Sequence, residues 1–153
     1  TGISEDPDVR FEIAKRIVER AADYGIKAED VVVDPLVMPI GAINRAGKDV
    51  FHLVRRLREE LKVNTTCGAS NIGFGLPNRH AINNAFLPMI AAAGMTSAIL
   101  NPLHDGLVPA IKAADVLNGV DPHCTNWIHT FRAPPAENDG EGRGGRRRGR
   151  RRA

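Results

Sequence analysis

Aromatic residues make up only 5% of the chain, cysteines number two, and no long apolar run occurs; each scarcity removes a class of protein. Unbroken apolar stretches such as Val31–Val33 and Ala91–Ala93 are a few residues long, whereas a membrane-spanning helix needs roughly 18. No membrane span is expected. Cys67 and Cys124 lie far apart, without a CxxC or a histidine at ligand spacing, so neither a disulfide framework nor a zinc site is signalled. A reducing, cytoplasmic compartment is expected. The opening Thr1-Gly2-Ile3-Ser4-Glu5-Asp6 has neither the basic nor the apolar segment of a secretory signal. It also lacks an initiator methionine, so the sequence is expected to begin inside a longer chain.

What is present is an aliphatic composition, 42% hydrophobic, normal for a water-soluble core. The net charge of +3 conceals an asymmetry. Seven arginines follow Gly142 with no acid among them, and without those seven the charge becomes −4. The basicity belongs to the end of the chain. Residues 134–153, two prolines and then a Gly/Arg-rich run, have almost nothing to place in a core and are expected to be disordered. An Arg/Gly tail can engage nucleic-acid phosphates, but no Phe, Tyr or Trp follows Phe131 to stack on bases. A solvated, solubilising tail is the expectation, and nucleic acid is a possible partner only there.

Between Asp6 and Asn118 helical periodicity alternates with short apolar runs, the pattern of an α/β protein with parallel strands. Asp6-Pro7 opens a first helix, an N-cap acid followed by proline at N1. Its expected inward stripe is Val9, Ile13, Ile17 and Ala21, and Gly25 stops it. Val31–Val33 reads as a strand buried on both faces, ending at Asp34-Pro35. A second helix spans about 47–61 with Val50, Leu53, Val54, Leu57 and Leu61 on its apolar stripe. Residues 63–68 form the second strand. A helix over about 78–93 should turn Ile82, Phe86, Met89 and Ile90 inward, with Gly94 at C′. The third strand is 97–101; Asp105 then caps a helix through Leu117, and a shorter helical piece passes through Trp127. Each unit is roughly 30 residues, close to one βα unit of a barrel of about 250 residues. Three units cannot close a barrel, and an open three-stranded layer would leave unpaired apolar edges. Residues 1–133 are therefore read as part of a larger barrel domain.

All three strand ends deliver polar groups to one side: Asp34, then Ser70 and Asn71, then Asn101. In parallel α/β folds the carboxyl ends of strands are where ligands bind. The loop Gly68-Ala69-Ser70-Asn71-Ile72-Gly73-Phe74-Gly75-Leu76-Pro77 lacks the Gly-Lys-Ser/Thr of a Walker loop. It also lacks a glycine two residues after Ser70 for a nucleophile elbow, and the spacing of a dinucleotide fingerprint. It remains a glycine-rich loop that lets backbone approach a flat ligand while Asn71 presents an amide. His52, His80, His104, His123 and His129 show no metal-ligand spacing and are read as surface or helix-end residues.

Val33-Asp34-Pro35-Leu36-Val37-Met38-Pro39, the 68–79 loop with Ile82-Asn83 and Phe86-Leu87, and Ala98-Ile99-Leu100-Asn101-Pro102 together resemble the pterin-binding methyltransferase family. That family includes the cobalamin-dependent methyltetrahydrofolate methyltransferases and the folate domain of methionine synthase. The resemblance covers about residues 8–121. It implies the C-terminal part of a (β/α)₈ TIM-type barrel and transfer of the N5-methyl of methyltetrahydrofolate to the cobalt(I) of a corrinoid (cobalamin), carried by a partner protein. It further implies that Asp34 binds the pterin ring and that Asn71 acts at N5 as the catalytic residue. Gly68, Ser70, Arg79 and Asn101 would line the same substrate site, with no protein-bound metal and a homodimer when complete. The family's other pterin contacts, an Asp and an Asn, belong to N-terminal strands this sequence does not contain, so the isolated fragment is expected to be inactive. The alternatives are a dihydropteroate synthase-like pterin-binding protein without methyl transfer, and a nucleic-acid-binding accessory protein acting through the tail. The synthase would show Ser-Arg-Lys where Ser70-Asn71-Ile72 stands.

Deleting residues 138–153 should leave the thermal midpoint of the chain unchanged, because apart from the terminal Ala153 that segment has no apolar side chain for a core. A large drop in a calorimetric scan would show that it docks on the body.

Overall fold

A computed structural model describes residues 2–133; the expectation for the 134–153 tail lies outside them. The element order is α1 (Pro7–Ala22), β1 (Val32–Val33), α2 (Ala46–Arg56), β2 (Asn64–Thr65), α3 (Arg79–Ala92), α4 (Leu107–Leu117) and α5 (Thr125–Phe131). The architecture is α/β with helix dominating and a small parallel sheet. Among the described residues no helix is long and apolar enough to cross a membrane.

Local chemistry sets the helix ends. Asp6 caps α1 by accepting the Asp8 N–H at 2.9 Å, with Pro7 in the first turn. Gly94 follows α3 at φ 105°, the left-handed conformation that ends a helix without a Cβ penalty. The α4 cap differs from expectation: Gly106, at φ 79°, occupies it. The main-chain carbonyl of Asp105 instead accepts the Asn84 amide at 3.1 Å. A side chain at 106 would collide with that amide, because its Cβ would lie 2.9 Å from Asn84 Nδ2.

Packing chooses among candidate faces. The α2 stripe of Val50, Leu53, Val54 and Leu57 is buried as expected, and a π-helical turn over Leu57–Leu61 carries the chain to Lys62, at φ 59°. For α1 the expected face is wrong. Val9, Ile13 and Ile17 are exposed while Phe11 and Ala14 are buried, because α1 seats Phe11 beside Leu53, Leu57 and Val63. The Arg56 guanidinium lies 3.6 Å from the centroid of the Phe11 ring, a cation–π contact that seals this face. In α3, Met89 is exposed and Ile82 half-buried, whereas Asn83, Phe86, Leu87 and Ile90 are buried. This i, i+3, i+4, i+7 stripe is the one that meets α2 and α4.

The sheet is parallel, with Val32 opposite Asn64 and Val33 opposite Thr65. The third expected strand is reduced to a parallel bridge between Gly68 and Ile99. Its pairing is nonetheless continuous: the N–H groups of Ser97 and Ile99 donate to the carbonyls of Thr65 and Cys67 at 3.0 and 2.7 Å, and Ala69 N–H donates to Ile99 at 3.1 Å. Both margins are open. Val32 is 57% exposed, against the expectation of burial on both faces, and Ile99 is 69% exposed. Among the described residues β1 has a neighbour on one side only, β2, whose other side is taken by the 97–99 segment.

After α4, Asp121 holds the start of α5. Its two carboxylate oxygens accept the N–H groups of Asn126 and Trp127 at 3.0 and 2.9 Å. The Asn126 hydrogen bond, then that of Trp127 and the charge of Lys112, outweigh partial desolvation and hold its carboxyl below the usual carboxylate range. A depressed folded-state pKa contributes stability that is complete above the unfolded value, about 4, and lost as pH falls through the lower folded value. Asp121→Asn should therefore melt a few degrees lower at neutral pH, with the gap starting to close below about pH 4 and vanishing as pH falls through the lower folded-state value, where the wild-type acid becomes a neutral isostere of the amide. Melting curves between neutrality and pH 3 check this; a gap that is constant with pH would remove the charge from the account.

Candidate active site at the strand ends

The parallel register places Asp34, the 68–71 segment and Asn101 at the carboxyl edge of the sheet. Their loops are joined. Ile40 N–H, beyond Asp34, donates to the Ile72 carbonyl at 2.9 Å, and the Gly41 Cα packs beside the Leu76 side chain. The loop after β2 is tied to the third strand through the Ala69 N–H.

Asp34 is exposed, and its Oδ1 accepts the Leu36 N–H at 2.8 Å, an Asx turn that leaves Oδ2 for a ligand. The turn places Leu36 at φ 61°, a conformation disfavoured for a branched side chain. Asn101 repeats the device: its Oδ1 accepts the Leu103 N–H at 3.0 Å, leaving the amide nitrogen exposed.

The central loop is built around two close approaches. Asn71 sits in a short 3₁₀ turn, its N–H donating to the Gly68 carbonyl at 3.0 Å. A Cβ at Gly68 would lie 3.0 Å from Asn71 Nδ2, so the missing side chain makes room for the carboxamide. That carboxamide is exposed, with the main chain of Asn71 fixed by the turn. At Gly73 a Cβ would come within 2.6 Å of Asn83 Oδ1 and 3.0 Å of the Arg79 carbonyl, so only glycine lets the loop close on the first turn of α3. Ile72, between them, is buried in the core.

Ser70 is half-buried, and its carbonyl accepts Arg79 Nη2 at 3.4 Å. The Arg79 guanidinium also lies 5.7 Å from the centroid of the Phe74 ring. Arg79 therefore braces the loop. Its Nε, like both polar atoms of the buried Asn83, has no hydrogen-bond partner among the described residues. The sequence-predicted residues thus share one edge, but the groove that reaches it is offset. A groove of about 300 Å³ runs along α1 and β1, and Asp34 is the one predicted site residue on its otherwise mostly apolar wall. Among the described residues no cluster of three or more metal-ligating side chains occurs.

Sequence reasoning missed Arg10. Its guanidinium donates to the carbonyls of Ser4, Glu5, Pro35 and Leu36, bracing the Asp34 turn from α1. An arginine on the polar side of an amphipathic helix carries no local sign of such a role.

Comparison with known proteins points one way. Residues 4–101 match the family of pterin binding enzymes. The chain is 31% identical over 132 residues to a methylcorrinoid:tetrahydrofolate methyltransferase of Eubacterium limosum, across 86% of this chain and 49% of that protein. It is also 31% identical over 100 residues to methionine synthase of Mycobacterium tuberculosis and over 108 residues to that of Mycobacterium leprae, covering 8% and 9% of those proteins. The chain thus spans about half the length of the first relative and a small part of the other two.

Cys67 lies beneath this edge, fully buried, and desolvation followed by the charge of Asp34 pushes its thiol up to about 12. A thiol so shifted is inert near neutrality. With a thiol reagent at pH 8 the folded chain should react at the half-buried Cys124 and leave Cys67 untouched until denaturant is added. Rapid labelling of both would mean that the strand-end layer opens readily.

Proposed function

The chain belongs to the pterin-binding methyltransferase family, and from that premise we propose that it forms the C-terminal part of a (β/α)₈ barrel whose site moves a methyl group between tetrahydrofolate N5 and a corrinoid. The observation that carries this reading is the convergence at one parallel-sheet edge of Asp34, with one carboxylate oxygen free, and Asn71, with its carboxamide exposed over Gly68. The open margins at Val32 and Ile99 support the partial barrel, since strands on either side would cover them. Residues 1–133 are then one partial domain, and the rest of the site's wall would come from strands outside this sequence. The chain alone is expected not to turn over.

The donors and acceptors fit a pterin. A carboxylate can take the paired N–H donors of an amino-pyrimidinone edge, as Asp34 would, while Gly68, Ser70, Arg79 and Asn101 would line the wall. Breaking the N5–methyl bond leaves its electron pair on an amine nitrogen, a poor leaving group unless protonated or strongly hydrogen-bonded. Once N5 takes up a proton from solvent, the Asn71 carboxamide oxygen can accept from the N5–H, a hydrogen bond that the neutral ground state lacks, and so favours the protonated amine from which the methyl group departs. Carried by a partner protein, the corrinoid would supply the cobalt centre that takes up the methyl group. The relative from Eubacterium limosum is named for a methylcorrinoid and tetrahydrofolate, the reverse direction; one site serves both, because forward and reverse reactions share a transition state. A dihydropteroate synthase-like role fits poorly, because Ile72, where that motif has lysine, is packed into the core.

The test separates the two polar residues in the protein at its natural length. Asp34 contacts the pterin in ground and transition state alike, so Asp34→Ala should weaken methyltetrahydrofolate binding by about 1.5 to 3 kcal/mol. Asn71→Ala should lower the single-turnover methyl-transfer rate, followed by corrin absorbance, by roughly tenfold to a thousandfold, and affect binding less. A variant at 71 with reduced affinity and an intact saturated rate would make Asn71 a simple binding residue.

A further inference from the structure

Arg10, in the first half of α1, uses its guanidinium in an unusual way for a helix-surface arginine. Nε donates to the Ser4 carbonyl at 2.8 Å and Nη2 to the Glu5 carbonyl at 2.7 Å. Nη1 donates to the carbonyls of Pro35 and Leu36 at 3.0 and 3.1 Å. All four acceptors are neutral main-chain oxygens, in two segments some 30 residues apart in sequence. The rigid five-donor fork of arginine can bridge such a pair of segments, whereas a lysine ammonium is a single point of attachment.

The second of those segments is the turn that carries Asp34. That turn is conformationally costly, because Leu36 stands at φ 61° without being glycine. Two things hold it there: Asp34 Oδ1 accepts the Leu36 N–H from within, and Arg10 binds the Pro35 and Leu36 carbonyls from outside. The edge position of β1 explains the need for the second. Among the described residues β1 pairs on one side only, with β2, so the carbonyls just beyond it have no strand neighbour to satisfy them. Freed of Arg10, the turn can relax toward ordinary negative φ, and the Asp34 carboxylate, tied to the Leu36 N–H, would swing with it.

We propose that Arg10 is a positioning residue that fixes the Asp34 turn, so that the free carboxylate oxygen is held ready for the pterin; this rests on the reading of Asp34 as a pterin contact. In this reading Arg10, which lines the same groove as Asp34 but spends its donors on main-chain carbonyls, acts through Asp34. A merely structural arginine would lower stability and affect binding whatever stands at position 34.

A double-mutant cycle on equilibrium methyltetrahydrofolate binding distinguishes the two, using the protein at its natural length with circular dichroism to verify folding. Arg10→Ala should raise Kd on the order of tenfold when Asp34 is present. In an Asp34→Ala background the same change should alter Kd less than about twofold. Arg10→Lys should resemble Arg10→Ala and replaces it in the cycle if the alanine variant does not fold. Adding Leu36→Gly, which removes the penalty on the left-handed turn, should recover part of the affinity lost on mutating Arg10. If Asp34→Ala alone left Kd unchanged, the pterin reading of Asp34 would fail and the proposal with it. If Asp34→Ala weakened binding while Arg10→Ala did not, or weakened both backgrounds equally, the proposal alone would be overturned.

Discussion

With Thr65 completely buried, its hydroxyl and main-chain groups have no water to turn to, and the segment after α3 must meet them all. Thr65 N–H donates to the Thr96 hydroxyl at 2.8 Å and Thr96 N–H donates to the Thr65 hydroxyl at 3.1 Å, a reciprocal pair. The Thr65 carbonyl accepts from the hydroxyls of Thr96 and Ser97 at 2.8 and 2.9 Å and from Ser97 N–H. A shift of one residue would leave several of these groups buried and unpaired, at a cost of about 1 to 3 kcal/mol each. The register of the third segment against β2 is thereby fixed, and with it the positions of Gly68 and Asn101. The positions from which a ligand could be gripped follow from one buried threonine, Thr65, and its hydrogen bonds to the surface residues Thr96 and Ser97 rather than from the loops themselves.

The loops then translate that register into a surface. Glycine at 68 leaves room for the Asn71 amide over the backbone, where a Cβ would crowd it, and glycine at 73 allows the loop to close on α3, where a Cβ would collide. Burial of Ile72 between them anchors the loop from below. Arg79 adds a brace at the Ser70 carbonyl. The result is a braced ledge that presents the exposed Asn71 carboxamide beside an exposed aromatic ring, Phe74, a mixture of polar and apolar groups suited to a flat heterocycle.

Much of this is legible in the sequence, for reasons that differ by element. The α2 stripe can be read because Val50, Leu53, Val54 and Leu57 leave one helical face apolar and no other. The strand ends can be read because Asp34-Pro35 and Asn101-Pro102 punctuate them. In α1 two apolar stripes coexist, Val9-Ile13-Ile17 and Phe11-Ala14-Val18, and periodicity cannot choose between them. The choice is made by Leu53, Leu57 and the Arg56 contact with Phe11, all distant in sequence. The third strand is shorter than its apolar content suggests, because apolar content does not by itself imply pairing and the structure concentrates its pairing on Thr65 and its neighbours. Leu36 at positive φ is not legible at all, since nothing about leucine announces a left-handed turn. Arg10 shares that opacity: its acceptors are carbonyls, which every residue has.

The different supports of Asp34 and Asn71 bear on how each can act in the proposed chemistry. Asp34 has one oxygen committed to its own turn, and that turn is clamped through Arg10, so the carboxylate offers nearly the same geometry to every ligand state. A group so held binds substrate and transition state alike, and contributes affinity rather than rate. Asn71 has its main chain fixed by the 3₁₀ turn while its carboxamide is exposed over a bare glycine. An amide of that kind keeps its position and retains rotation about its terminal bond, so it can present oxygen or nitrogen as the partner requires. At a nitrogen whose charge changes along the reaction, that freedom lets a hydrogen bond strengthen only when the charge appears, which is the condition for lowering a barrier instead of deepening a well.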